Sequence, residues 1–157
     1  MSMLKNSLFL DLEGTIIDSM DNPVFLPENI DSEWFTGRIA DASEFHLFSW
    51  AITSNQDVAS SKWLISHVEE RLGIKFTSVI LRDDFFPFFK AKFGNIDFME
   101  FEELCRALGK ETVFQFFIRN IFNNENACNM FTLIDDMVED TILSGIFGRI
   151  ETLGTRT

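Results

Sequence analysis

The stretch Ser7-Leu8-Phe9-Leu10-Asp11-Leu12-Glu13-Gly14 decides the fold that this sequence predicts. An uninterrupted apolar run that ends in acidic residues and a glycine is typical of a strand buried on both faces, emerging at the carboxyl end of a parallel sheet. Buried parallel strands require helices to cover the sheet, and strand and helix patterns then alternate along the chain. The stretch therefore favours an α/β protein.

Alternating strand and helix patterns follow this stretch. Further strands are predicted at about 45–53, 76–81, 130–134 and 146–153, and helices at about 29–42, 57–72, 98–108 and from Lys110 to about 121. No regular element is predicted in the aromatic segment 82–97. The alternation predicts a three-layer α/β/α sandwich around a mostly parallel, Rossmann-like sheet. Because no linker, repeat or low-complexity tract interrupts the pattern, we interpret residues 1–157 as a single domain.

Composition excludes several classes of function. The chain has 25 acidic and 13 basic residues and a net charge of −12, so its surface repels phosphate backbones and nucleic acid is not an expected partner. No stretch approaches the roughly 18 apolar residues of a membrane span, and the first residues do not resemble a signal peptide. Cys105 and Cys128 lack disulfide or metal spacing, which fits a reducing, cytoplasmic setting.

Acidic residues follow the first and the fourth of the predicted strands. Asp11 and Glu13 come after the first strand, and Asp135 and Asp136 come after the fourth, with Asp140 one helical turn further on. Any one of them alone is more often a helix cap or a turn former. Ligands of open parallel sheets bind at the carboxyl ends of the strands, so these acids are expected at one edge. Carboxylates about 4 Å apart repel by ~4 kcal/mol, and a hard cation such as Mg²⁺ would relieve this repulsion.

Four short motifs, in order along the chain, resemble those of the haloacid dehalogenase-like (HAD) hydrolase superfamily. Residues 11–18 (DLEGTIID) are similar to the first motif of the family, Asp-x-Asp-Gly-Thr, and residues 54–56 (SNQ) to the second. Lys110 opens a predicted helix as in the third motif, and residues 135–140 (DDMVED) resemble the fourth. Glu13 stands where the family normally has Asp, a variant that occurs in its enolase-phosphatase branch.

The resemblance implies a Mg²⁺-dependent phosphatase that acts on a phosphorylated small molecule or a phosphoprotein. It assigns Asp11 as the nucleophile that forms an aspartyl-phosphate and Glu13 as the general acid and base. Mg²⁺ is expected to bind Asp11, the backbone carbonyl of Glu13, and Asp136. Asp135 and Asp140 are implied to act around the metal, through water or by orienting neighbours.

The resemblance also implies a set of phosphate-binding residues. Ser54 would donate a hydrogen bond to a phosphoryl oxygen, with Asn55 beside it, and Lys110 would offset the charge of the transferring group. Because Lys90 and Lys92 precede Lys110 in the aromatic segment, the sequence leaves open which of the three lysines has this role.

The intervals in which family members often carry a substrate-selecting cap are short in this chain. Residues 14–43 and 82–109 span about thirty residues each, which predicts no cap or a minimal one and an open site. The run Phe85-Phe86-Pro87-Phe88-Phe89 is expected in the core or as an apolar lip near the site.

Two other hypotheses remain beside the phosphatase. A catalytically degenerate relative could bind a metal or a partner through its acidic face, and both Glu13 and the open choice of lysine motivate this alternative. A receiver-like signalling domain also has acids at sheet ends, a Ser or Thr and a Lys. Receiver domains place the acid pair before the phosphorylated Asp, whereas in this chain the order is reversed, so this hypothesis ranks below the others.

Overall fold

The computed structural model describes residues 6–52, 55–120, 130–143 and 148–153. Within these ranges the protein is α/β with one six-stranded, mostly parallel sheet, which confirms the predicted fold class at this level. The strands are β1 (Asn6–Leu10), β2 (Glu44–Ser49), β3 (Phe76–Leu81), β4 (Met130–Asp135), β5 (Thr141–Leu143) and β6 (Gly148–Thr152). Their order in the sheet is β3-β2-β1-β4-β6-β5, and only β5 runs antiparallel to its neighbour.

Seven α-helices are present in the described ranges. They are α1 (Pro27–Ile30), α2 (Glu33–Asp41), α3 (Asn55–Ser60), α4 (Lys62–Leu72), α5 (Phe86–Phe93), α6 (Phe98–Leu108) and α7 (Lys110–Asn120). None of them combines the length and apolar character that a membrane span requires. The single helix predicted at 29–42 is two helices, because Ser32 caps a new N-terminus by accepting a hydrogen bond from Phe35 N at 3.2 Å.

The aromatic segment was wrongly expected to lack regular structure. A short 3₁₀ turn at Arg82–Phe85 leads directly into α5, and Pro87 occupies the first turn of that helix, where its missing N–H is tolerated. Phe85 and Phe89 lie one turn apart and are both buried, whereas Phe88 is 44% exposed. Phe85 and Phe89 of the phenylalanine-rich run therefore lie in the core, one of the two places expected for it, and Phe88 does not.

Two hydrophobic clusters cover the sheet, and β1 contributes to both. Leu8 and Leu10 belong to the first cluster and Phe9 to the second, as expected for a strand whose side chains alternate between two faces. The first cluster also contains side chains of α2 and α4 (Phe35, Leu64, Ile65 and Val68). The second contains side chains of α5, α6 and α7 (Phe89, Phe101, Cys105, Val113, Phe114, Phe117 and Ile118). Each face of the sheet is thus packed against its own set of helices.

The connections create a switch point at the centre of the sheet. From β1 the chain moves outward through β2 to β3 on one side and then crosses to β4 on the other side of β1. Such a reversal leaves a crevice beyond the carboxyl ends of the two central strands, where open α/β sheets bind ligands. Asp11 directly follows β1 and is tied to β4, since its backbone N–H donates to Ile134 O at 3.0 Å. Asp135 is the last residue of β4.

Candidate active site

The side chain of Lys110 lies between two buried carboxylates at this switch point. Its Nζ atom is 2.5 Å from Asp11 Oδ1 and 2.6 Å from Asp135 Oδ2. The other oxygen of Asp11 accepts a hydrogen bond from Thr15 Oγ1 at 2.9 Å, and Asp135 Oδ1 accepts one from Met137 N at 2.9 Å. All four carboxylate oxygens are therefore held in place, which fixes the relative positions of Asp11, Asp135 and Lys110.

Helix α7 brings Lys110 to this position from a distant part of the sequence. Lys110 is the first residue of the helix, and Val113, Phe114 and Phe117 bury the following turns in the second cluster. The Lys110 ammonium also lies 5.6 Å from the centre of the Phe48 ring, a geometry in which the ring face attracts a cation. Packing of the apolar face of α7 in the second cluster thus positions the Lys110 ammonium group at the carboxylates.

Asp136 adds a third carboxylate to the pair. Asp11, Asp135 and Asp136 each present an oxygen within 4.8 Å of those of the other two. Burial, the charge of Asp11 and a hydrogen bond with Asp135 raise the pKa of Asp136 to about 7. Burial likewise raises the pKa of Asp11, against the opposing effect of the Lys110 ammonium. Burial alone would lower the pKa of Lys110, but the charges of Asp11 and Asp135 outweigh it and raise this pKa.

The three carboxylates have the donor chemistry of a hard divalent cation. They offer only oxygen atoms, which Mg²⁺ prefers over nitrogen or sulfur. They also outnumber the single ammonium group, so a cation at this position would reduce the repulsion that raises the pKa of Asp136. The residues present therefore fit Mg²⁺. The structure brings together Asp11 and Asp136, and places Asp135 in the same trio.

Gly14 allows Asp136 to approach the loop that follows β1. Its φ of +82° is a conformation that residues with a Cβ rarely adopt, and a Cβ built there would lie 2.2 Å from Asp136 Oδ2. Glycine is therefore favoured at position 14 for a steric reason, because any side chain there would push the Asp136 carboxylate out of the cluster.

Replacing Gly14 with alanine is expected to weaken Mg²⁺ binding by about 10- to 100-fold, the usual cost of displacing groups around a metal site. The reason is the overlap between the new Cβ and Asp136 Oδ2. Titration calorimetry with Mg²⁺ measures the effect. Gly37→Ala is the control, since a Cβ at this position in α2 meets no atom within 4 Å. Equal Mg²⁺ affinity of Gly14→Ala and wild type would contradict a metal site that includes Asp136.

The cluster forms the floor of an open pocket of about 550 Å³. The pocket is lined by Asp11, Glu13, Gly14, Asp18, Ser19, Trp50, Ala51, Lys110, Asp135, Asp136 and Met137. Glu13 is exposed, and its Oε2 accepts a hydrogen bond from Met20 N at 2.7 Å. The expected acid and base thus lies in the pocket wall, with its carboxylate held by the backbone of the adjoining loop.

Among the three candidate lysines, Lys110 is the one in the pocket. Lys90 and Lys92 are exposed on α5, and their Nζ atoms lie 5.4 Å and 5.2 Å from the ring centres of Phe86 and Phe116. Neither lysine lines the pocket. The alternative roles left open for Lys90 and Lys92 are therefore not supported, because α5 holds both side chains against other aromatic residues.

The other candidate residues of the site are Asp140, Ser54 and Asn55. Asp140 lies outside the carboxylate trio, and its Oδ1 accepts a hydrogen bond from Thr152 N at 2.8 Å, which ties the chain after β4 to β6. Ser54 and Cys128 lie outside the described residues, and so does the side chain of Asn55, whose backbone begins α3. The predicted phosphate contacts of Ser54 and Asn55 stay predictions.

Three residues of the site had no role in the sequence analysis. Thr15, the hydrogen-bond donor to Asp11, belongs to the first motif, so its position after Gly14 was the available signal. Trp50 and Met137 line the pocket beside the carboxylates. Nothing in their local sequence distinguishes them from other apolar residues, because only the folded chain shows which strand ends lie together.

Comparisons with known proteins find no match to this chain among family models, curated proteins or solved structures. The fold and the site define an α/β protein with an acidic, lysine-containing pocket at the switch point of its sheet.

Proposed function

We propose that the chain is a Mg²⁺-dependent phosphatase of the HAD-like hydrolase class that acts through an aspartyl-phosphate on Asp11. The observation that supports it most directly is the convergence of Lys110 with Asp11, Asp135 and Asp136 on one pocket. These residues come from three separate motifs whose order along the chain resembles that of the family. A phosphorylated small molecule or a phosphoprotein would be the substrate.

The architecture is compatible with the finer fold assignment. Helices α2 and α4 pack on one hydrophobic cluster and α5, α6 and α7 on the other, which supports a three-layer α/β/α sandwich. Between β1 and β2, the described segment contains two isolated bridges around Ile17 and the helices α1 and α2. Since Phe35 of α2 is buried in the first cluster, this segment supports a minimal cap and an open site.

The residues of the pocket divide the proposed reaction into two steps. In the first, a carboxylate oxygen of Asp11 attacks phosphorus, the bond to the leaving oxygen breaks, and Glu13 gives that oxygen a proton. In the second, Glu13 takes a proton from water, which attacks the aspartyl-phosphate and releases phosphate. Thr15 orients Asp11 throughout by its hydrogen bond.

Charge stabilisation is the main requirement of phosphoryl transfer. Lys110 would bind a phosphoryl oxygen once the substrate competes with Asp11 for its ammonium group. Asp11, the backbone carbonyl of Glu13 and Asp136 would hold Mg²⁺, with Asp135 beside them in the carboxylate cluster. The bound ion would supply positive charge to the phosphoryl oxygens. Asp135 would keep Lys110 in place when a substrate displaces Asp11, because its Oδ2 atom pairs with Lys110 Nζ at 2.6 Å independently of Asp11.

One observation favours the alternative of a catalytically degenerate, metal- or partner-binding module. The Glu13 carboxylate accepts a hydrogen bond from Met20 N, and this bond must break or lengthen before Glu13 can serve the leaving oxygen. If Glu13 stays in this position, the pocket binds Mg²⁺ and a phosphoryl group without turnover. Binding and catalysis therefore have to be measured separately.

The test is phosphate release from an aryl phosphate, together with binding of beryllium fluoride as a phosphoryl mimic. We expect release in Mg²⁺ and none after chelation by EDTA, and we expect the mimic to bind Asp11 only when Mg²⁺ is present. Binding of the mimic without phosphate release would favour the degenerate module. Failure of both would contradict the phosphatase and its metal site together.

A further inference from the structure

We propose that the pocket selects phosphomonoesters whose leaving group is a planar aryl system without a second negative charge. This inference rests on the proposed phosphatase function and adds a substrate class to it. It depends on the apolar side chains that line the pocket, whereas the phosphatase function depends on the carboxylates and Lys110.

Two large apolar side chains stand in the wall beside the carboxylates. Met137 is 85% exposed, although a methionine gains free energy from burial, and it directly follows the acid pair. Its backbone N–H donates to Asp135 Oδ1, so the side chain starts from a fixed point at the pocket. Trp50 is half-buried and lines the same pocket. A ligand that covers these two side chains would remove both from water.

The chemistry of these side chains favours an aromatic ligand over an aliphatic one. An indole ring prefers to stack on another ring, and a thioether makes favourable contacts with ring edges. Each kind of contact adds to the general gain from apolar burial. A phosphate ester bound on the floor would extend its leaving group toward these walls.

The charges around the pocket disfavour a second anionic group. Among the described residues that line it, Lys110 is the one cation, and Asp11 and Asp135 already pair with it. Glu13 and Asp18 are exposed in the same lining. A carboxylate or second phosphate on the leaving group would add to the negative charge of this lining. Salt at physiological strength screens repulsion only partly for charges closer than about 8 Å.

The same aryl phosphate chemistry has two sources, a free aryl ester and a phosphotyrosine side chain in a protein. The pocket is open, so neither source is excluded by its walls. In both, the ring is bonded directly to the bridging oxygen of the phosphate ester. The experiment therefore includes a probe for each.

The test measures binding of non-hydrolysable phosphonates to the Mg²⁺-loaded protein by titration calorimetry, which removes differences in leaving-group reactivity. We expect benzylphosphonate to bind about 10-fold more tightly than butylphosphonate, and 4-carboxybenzylphosphonate to bind more weakly than benzylphosphonate. A peptide with phosphonomethyl-phenylalanine represents the protein source. Tighter binding of benzylphosphonate, or of the peptide probe, than of butylphosphonate supports the proposal.

Matched variants test whether the side chains of Met137 and Trp50 cause the aromatic preference. Met137→Ala and Trp50→Ala are expected to lose most of the aromatic preference while their butylphosphonate affinity changes little. Ile142→Ala and Trp63→Ala are the controls, since Ile142 is 86% exposed on β5, Trp63 is 57% exposed on α4, and neither lines the pocket. Variants that keep the full preference would overturn the assignment to these side chains.

The outcomes distinguish this inference from the function on which it rests. Equal binding of benzylphosphonate and butylphosphonate, alongside Mg²⁺-dependent phosphate release, would overturn the substrate class and leave the phosphatase intact. Tighter binding of the carboxylated probe would overturn the charge selection. Absence of binding by every phosphonate and by beryllium fluoride would overturn the substrate class and the phosphatase together.

Discussion

Asp11→Asn is expected to reduce Mg²⁺-dependent phosphate release by about 10⁴-fold or more, the scale seen when an enzyme loses its nucleophile. An amide has nearly the same shape as the carboxylate but cannot form the aspartyl-phosphate, since its oxygen is a far weaker nucleophile. Asp135 remains beside Lys110, so the variant keeps an ion pair at the site. Single-turnover phosphate release measures the loss, and an intact-mass spectrum of the quenched reaction shows whether a phosphoryl adduct forms.

Asp21→Asn is the matched control for this substitution. Asp21 is exposed and does not line the pocket, so the same chemical change should leave the rate unaltered. Both variants should unfold at similar denaturant concentrations to wild type, which would show that the fold is retained. Turnover by Asp11→Asn within tenfold of wild type would contradict an aspartyl-phosphate at this residue.

The central part of the fold is predictable because its sequence patterns are long and regular. The strand at 76–81 and the helix at 98–108 have the predicted bounds, and β1 ends at Leu10, directly before Asp11. Strand β5 has only three residues, which is too short to show any period. Helix α5 has phenylalanines on both its buried and its exposed sides, since Phe89 is buried whereas Phe88 and Phe93 are exposed, so no single apolar face identifies it in the sequence.

The acids of the site are predictable and the choice of lysine is not. Asp11 and Asp136 follow buried strands, and strand ends of a parallel sheet meet at one edge whatever the details of packing. A lysine reaches that edge only through the helix that carries it, and the sequence does not show which helix packs over β1. Contacts of Phe9 and Phe48 with Phe114 settle this for α7, at ring distances of 5.1 Å and 5.3 Å.

Lys110→Met is expected to lower the free energy of unfolding of the Mg²⁺-free protein by about 3–5 kcal/mol, the usual cost of removing one partner from a buried ion pair. Methionine keeps the length and the contact with Phe48, but Asp11 and Asp135 lose their cation. Urea unfolding in EDTA measures this loss. Burial already raises the pKa of Asp11, and removal of Lys110 raises it further. A carboxylate whose pKa is higher in the folded than in the unfolded state makes the folded state less stable as pH rises. The decrease in the free energy of unfolding caused by Lys110→Met should therefore be larger at pH 8 than at pH 5.

Addition of Mg²⁺ should restore much of this stability, because the metal would neutralise the same carboxylates that Lys110 pairs with. The Mg²⁺-induced rise in Tm should therefore be larger for Lys110→Met than for wild type, even though phosphate release is lost with the ammonium group. Lys75→Met is the control, since Lys75 is 89% exposed and 3.9 Å from Glu69, and an exposed pair of this kind contributes little. If Lys110→Met is as stable as wild type in EDTA, the burial of Asp11 and Asp135 does not depend on this lysine. That result would contradict the ion-paired centre on which the proposed phosphatase depends.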